Sequence, residues 1–133
     1  MNSFKFQDEI YSLFTNDYEL MSLMGDPFDD EEINLRFRRE EFDITELDSE
    51  SFPFLTIVFI DTDYTNNYLR NTGLLEIVIY SLGRYDAMRI YERVRTLFRK
   101  HYPEMTIVTE GQIYTEVRGM YCYRTRFNPL INS

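Results

Sequence analysis

The chain has 133 residues, of which 44% are hydrophobic and 17% aromatic, and this is typical of one globular domain with a hydrophobic core rather than of a disordered protein. Its net charge of −9 disfavours a protein that clamps duplex DNA through the phosphates. The longest apolar run, Phe54 to Ile60, is too short to span a membrane, so we expect no membrane partner.

Two short helices and a corner between them are predicted near the N-terminus. The first begins at a cap formed by Ser3, and its apolar side chains recur at the spacing of one buried helical stripe: Phe6, Ile10, Leu13 and Phe14. Asp17 is a candidate cap for a second helix over residues 18–24, which Gly25 ends. The pattern predicts two helices that meet at a corner.

The segment that follows is strongly acidic. Residues 26–32 combine acids with chain breakers, which predicts a loop. Ile33, Leu35 and Phe37 alternate with polar residues, and this period of two predicts a strand with one wet face. Residues 39–52 contain six acids and follow neither period, so we expect a mobile connection there.

The middle of the chain predicts two paired strands. Residues 54–60 are short, β-branched and bounded by Pro53, as in a strand covered on both faces. Residues 61–73 are polar and predict a long loop. Residues 74–81 show partial alternation and predict a strand that pairs antiparallel with the first.

The C-terminal part predicts a long helix followed by a hairpin. Residues 85–101 carry one apolar stripe, formed by Ala87, Ile90, Tyr91, Val94, Leu97 and Phe98. Residues 105–127 are typical of two strands joined by a turn at Glu110 and Gly111. The fold class predicted for residues 1–133 is therefore α+β, one domain whose mainly antiparallel sheet of four or five strands is packed by an N-terminal helix and one long helix.

Charge is divided unevenly along the chain. Residues 1–63 contain 17 acids and 4 bases, for a net charge of −13, whereas residues 64–133 contain 6 acids and 10 bases, for a net charge of +4. One interpretation is two solvated faces. The other is head-to-tail association of copies, in which the acidic part of one chain meets the basic part of the next and the assembly closes into a ring.

The sequence offers little for catalysis or metal binding. Cys122 and His101 are the only residues of their types, which excludes a disulfide framework and the usual zinc sites. Cys122 lies in a strand pattern, where a small apolar side chain suffices, and His101 ends a basic helix. Asp61 and Asp63 form at most a weak metal-binding pair, and residues 29–32 lack the spacing of a calcium loop. With no glycine-rich phosphate loop either, we expect no enzyme activity, no metal and no cofactor.

Arg89 and Arg93 lie one turn apart on the long helix and are the main candidates for a functional surface. Phosphate binding, a solvated face and a subunit contact all fit this spacing. Asp86 and Glu92 stand three residues before arginines, which predicts ordinary pairs within the helix. Several tyrosines are candidates for an oligomer surface: Tyr64, Tyr68, Tyr114, Tyr121 and Tyr123.

A family resemblance rests on an ordered set of segments. The N-terminal phrase IYSLFTNDYELMSLMG is followed by an acidic stretch, FPFLTIVF, a loop, LLEIVIYS and the helix DAMRIYERVRTLF. This order resembles the tail-completion, or tail terminator, proteins of long-tailed bacteriophages, in which a helix ending in a Thr-Ser-Asp-like corner precedes a Phe-Pro strand, a second strand and a helix. The resemblance covers most of the chain. The acidic insert over residues 39–52 departs from the family pattern.

The resemblance implies a structural virion protein without catalytic activity. Such a subunit forms a hexameric ring on the last ring of the tail tube, stops tube polymerisation and presents the surface that joins the tail to the head. The implied partners are further copies of the chain, the tail tube protein and a head-completion or connector protein, with the genomic DNA passing through the ring. The implied location is the head-tail junction of the virion, after synthesis in the host cytoplasm. Two alternatives are a connector on the head side of that junction and, less favoured, a small nucleic-acid-binding module.

Two sets of residues are predicted to make the contacts of this assembly. The subunit interface joins Arg89 and Arg93 of one copy to an acidic cluster of the next, formed by Asp29, Asp30, Glu31 and Glu32. The contact with the tube or neck is made by the polar loop, through Asp63, Tyr64, Asn66, Asn67, Tyr68 and Arg70.

Overall fold

A mixed sheet with helices packed on it forms the described part of the chain, which comprises residues 3–39, 52–61, 73–114 and 119–129 of a computed structural model. The elements in chain order are α1 (Ser3–Thr15), α2 (Tyr18–Leu23), α3 (Asp30–Arg36), β1 (Phe37–Arg38), β2 (Phe54–Asp61), β3 (Gly73–Ser81), α4 (Arg84–His101), β4 (Thr106–Ile113) and β5 (Tyr121–Asn128). The predicted α+β class is confirmed.

The five strands lie in the order β1-β2-β3-β5-β4. β2 pairs antiparallel with β3, as predicted, and β3–β5 and β5–β4 are antiparallel too, whereas β1 runs parallel to β2. The sheet is therefore mainly antiparallel. Alternate residues of the two long central strands point to one face and join the core: Leu55, Ile57, Leu75, Ile77 and Ile79.

The helix α4 covers the middle of this face. It packs on β3 and β5, while α1 packs on β2. Its predicted stripe is buried except for the half-buried Tyr91: Ala87, Ile90, Val94, Leu97 and Phe98. Because the apolar residues of α4 all fall on one side, the helix removes them from water by turning that side to the sheet. This is why the sequence predicted the helix.

The corner between α1 and α2 has the structure that the sequence predicts. The Asp17 side chain accepts a hydrogen bond from the Leu20 backbone N–H at 2.9 Å and caps α2. Gly25 follows the C-cap with a φ of 91°, a conformation that glycine adopts without strain. The predicted cap at Ser3 is wrong, because Ser3 already lies within α1.

The acidic run contains a helix where a loop and a strand were predicted. Residues 30–36 form α3, and the Asp29 side chain caps it by accepting from the Glu32 backbone N–H at 2.7 Å. The acids of its first turn lie near the positive end of the helix dipole, which stabilises a helix that composition alone disfavours. The predicted strand over residues 33–38 is reduced to the two residues of β1.

The last hairpin is confirmed, but its turn is misplaced. Glu110 and Gly111 lie inside β4, opposite Thr125 and Arg124 of β5. The connection comes only after Ile113, and a register shift between residues 107 and 109 marks a β-bulge. Gly111 lies within the strand and leaves space beside its long neighbour Arg124 on β5. The sequence-based prediction therefore mistook a strand glycine for a turn residue.

Two predicted connections lie mostly outside the described residues. Residues 40–51 of the acidic connection and residues 62–72 of the polar loop are not described. The mobility predicted for residues 39–52 and the loop predicted over residues 61–73 stay predictions.

Candidate subunit interface

Arg93, one of the two predicted interface arginines, binds residues of its own chain. Its Nε donates to Asp17 Oδ2 at 2.8 Å and its Nη2 to Asp17 Oδ1 at 2.6 Å, a two-pronged contact across 76 residues of sequence. Its Nη1 lies 3.2 Å from Glu19 Oε2. The side chains of Arg93 and Asp17 are only 24% and 12% exposed. Arg93 thus fixes the α1–α2 corner to α4.

The charges of this pair reinforce each other. The hydrogen bonds from Arg93 hold the pKa of Asp17 below its ordinary value, although burial opposes the shift. The same contact raises the pKa of Arg93. Both groups are therefore charged at neutral pH, and a partner subunit would have to displace an internal ion pair to use Arg93.

Arg89 is the predicted interface arginine that is available. It is exposed, and its guanidinium carbon lies 5.7 Å from the centre of the Tyr85 ring. No ion pair joins it to an acid of the described residues. It lines a surface groove of about 460 Å³ between α2 and α4, with Tyr18 and Leu23 among the other lining residues. The groove therefore has an aromatic rim and a guanidinium that forms no ion pair within the described part of the chain.

The pairs predicted within α4 are wrong. Asp86 makes no ion pair with Arg89, and Glu92 makes none with Arg95, among the described residues. Arg95 donates instead to the Tyr91 hydroxyl at 3.1 Å, and that hydroxyl donates to the Glu110 carboxylate. Burial and this carboxylate raise the pKa of Tyr91 to about 12.

The predicted acidic partner surface lies at the start of α3. Asp29, Asp30 and Glu31 are exposed and Glu32 is half-buried. None of these carboxylates has an ion-pair partner within the described residues. The cluster is thus available to a cation of another molecule, but the structure of one chain does not bring it against Arg89.

Exposed aromatic residues on the helices and just before α3 are more numerous than the sequence indicated. Phe28 is 86% exposed, beside the acidic cluster, and Tyr18 and Tyr85 are 83% and 74% exposed. The sequence patterns of alternation and helical spacing identify buried residues, so they did not identify these three exposed aromatic residues. Of the predicted surface tyrosines, Tyr114 is 85% exposed, whereas Tyr121 and Tyr123 are half-buried.

The remaining predicted site residues divide into two groups. The loop residues expected to meet the tube or neck, from Asp63 to Arg70, lie outside the described residues, as do Tyr64 and Tyr68, and the side chain of Asp61 is not described. Cys122 is fully buried, which raises the pKa of its thiol to about 11 and keeps it protonated. His101 is the exposed last residue of α4.

Within residues 3–39, 52–61, 73–114 and 119–129, no three potential metal ligands come together. Nor does any helix of these ranges have the length and hydropathy of a membrane span.

In comparisons with known proteins, no family model matches the chain, and no curated protein sequence matches it significantly.

Proposed function

We propose that this chain is a structural subunit of a phage tail, which forms a ring on the end of the tail tube, ends its polymerisation and presents the surface that joins the tail to the head. In this proposal the ring is a homohexamer at the head-tail junction. It acts by binding and has no catalytic step.

The observation that carries the proposal is the way in which the resembling segments fit together. Asp17 belongs to the first segment and Arg93 to the last, and their ion pair joins α2 to α4. Leu20, three residues after Asp17, is fully buried, and Gly25 ends the corner with a positive φ. The residues that define the resemblance therefore have structural roles in one packed unit, and this supports a shared fold with the tail terminators.

The surface of the chain supports assembly through unlike surfaces. The carboxylates of Asp29, Asp30 and Glu31 lie at the start of α3, while Arg89 lies on α4 in a groove rimmed by Tyr18. An exposed ion pair contributes about 0–1 kcal/mol, so charge sets orientation while exposed aromatic residues supply most of the affinity. A net charge of −9 favours a ring through which DNA passes without sticking.

An assembly assay tests the proposal directly. Purified chain is added to polymerising tail tube protein from the same phage, and tube lengths are measured by electron microscopy. We expect shorter, capped tubes as the ratio of chain to tube protein rises. Tubes of unchanged length at every ratio would contradict a terminator. Binding to the portal complex with no effect on tubes would indicate the head-side alternative.

Variants of two exposed arginines test the role of the groove. Arg89→Glu should weaken capping without lowering the melting temperature, since Arg89 makes no ion pair within the described residues. Arg99→Glu is the matched control, because Arg99 is also exposed on the same helix but does not line the groove. Arg93 is unsuitable, because its replacement would break the internal pair.

A further inference from the structure

The outer edge of β4 is open in the described part of the chain. β4 is the last strand of the sheet order and pairs only with β5 among the described residues. It spans eight residues, Thr106–Ile113. The N–H and C=O groups along such an edge are a template on which another strand can form hydrogen bonds.

The sequence of β4 provides little of the protection that edge strands usually carry. Its segment TIVTEGQI contains no proline and no lysine, and its one charge, Glu110, accepts a hydrogen bond from the Tyr91 hydroxyl. The β-bulge affects only the start of the strand, so the pairing from Thr109 to Ile113 is regular. Val108 is 50% exposed at the bulge.

Cations flank this edge on both faces of the sheet. On the face opposite α4, Arg124 of β5 lies next to Gly111, which has no side chain to separate the guanidinium from the edge. On the other face, the hydrogen bond from Tyr91 to Glu110 shows that the side of α4 that carries Tyr91 faces β4. Arg95 donates to the same tyrosine and therefore lies on this side too. Neither arginine makes an ion pair with an acid of the described residues.

We propose that the edge of β4 accepts an extended, acidic segment of a partner polypeptide, which adds one strand to the sheet while its carboxylates meet Arg95 and Arg124. Main-chain hydrogen bonds supply the affinity in this mode of recognition, and side chains supply the specificity. Symmetrical pairing of β4 with β4 of a second copy is disfavoured, because it would bring the arginines of both copies together. The proposal does not depend on the role in phage tails.

The probe is the eight-residue peptide Val-Glu-Glu-Val-Val-Glu-Glu-Val, which as a strand turns two glutamates to each face of the sheet, and its control has lysine in place of glutamate. Binding to the full chain is measured by fluorescence anisotropy, and amide hydrogen exchange of residues 109–113 is followed with and without peptide. We expect at least tenfold tighter binding of the glutamate peptide and slower exchange along β4. Methylating every backbone nitrogen of the peptide should abolish binding, because neither edge of the strand then has an N–H to donate.

Paired variants test the arginines. Arg95→Gln combined with Arg124→Gln should lower the affinity about tenfold, at about two- to fivefold for each contact. Lys5→Gln combined with Lys100→Gln is the control with the same net charge. Both residues line the groove on the α1 side of α4. Melting curves confirm that both proteins fold.

Three results would overturn the proposal. Equal binding of the lysine peptide would refute the acidic partner. Binding by the fully methylated peptide with unchanged exchange of β4 would show attraction by charge without strand addition. Slowing of exchange along β4 with rising protein concentration and no peptide would assign the edge to a second copy instead.

Discussion

The ion pair between Asp17 and Arg93 provides the sharpest test of the packing, because it joins the α1–α2 corner to α4. A double-mutant cycle with Asp17→Asn and Arg93→Gln isolates its contribution. Asparagine caps helices as well as aspartate does, so the cap of α2 is retained and the charge is removed.

The expected coupling free energy lies between two limits. Exposed pairs contribute about 0–1 kcal/mol, whereas breaking a fully buried pair costs about 3–5 kcal/mol. The side chains here are 12% and 24% exposed and joined by two short hydrogen bonds, so we expect about 1–2 kcal/mol. Asp17→Ala should cost about 1 kcal/mol more than Asp17→Asn, because it also removes the cap.

Urea unfolding followed by far-ultraviolet circular dichroism measures the four free energies of the cycle. The slope m should be equal in all four proteins if the variants leave the folded and unfolded states equally compact. Additivity within about 0.3–0.5 kcal/mol would refute the reasoning, since it would mean that the two residues do not interact in solution.

Three further predictions concern pH, the core and the thiol. Because the pKa of Asp17 is lowered in the folded chain, the unfolded chain binds the proton first as pH falls. The free energy of unfolding should therefore fall as pH drops below about 4. Asp17→Asn should make the free energy of unfolding, measured in urea, less dependent on pH in this range. Val94→Asp should cost about 3–5 kcal/mol in the same assay, whereas Thr96→Asp, on the exposed side of α4, should change stability by about 0.5 kcal/mol or less. Cys122 should react with an alkylating reagent far faster in urea than in the native protein, and rapid native labelling would contradict its burial.

The elements that the sequence predicted well are those in which one physical requirement dominates. Helix α4 has a single apolar stripe, and β2 and β3 have β-branched residues bounded by breakers, so burial admits one secondary structure for each. The prediction of a loop and a strand in the acidic run was wrong. A side-chain cap and the helix dipole stabilise these seven residues as a helix, although their composition disfavours one. The two-residue β1 forms by pairing in parallel with β2, and no local sequence pattern indicates this pairing.

The candidate interface was only partly predictable, for a related reason. Helical spacing correctly placed Arg89 and Arg93 on the less apolar side of α4, but spacing within a helix cannot show a partner 76 residues away. That is why Arg93 was predicted to face another subunit. Exposure of an aromatic residue has no periodic signature, and therefore Phe28 beside the acidic cluster became visible only in the structure.

The role as a tail terminator is tested most directly by measuring tail lengths in virions assembled without this chain. We expect tubes longer than those of the parent phage, together with tails that fail to join DNA-filled heads, and both defects should be reversed when the chain is supplied from a plasmid. Tails of normal length attached to filled heads in its absence would show that the chain does not terminate the tail tube.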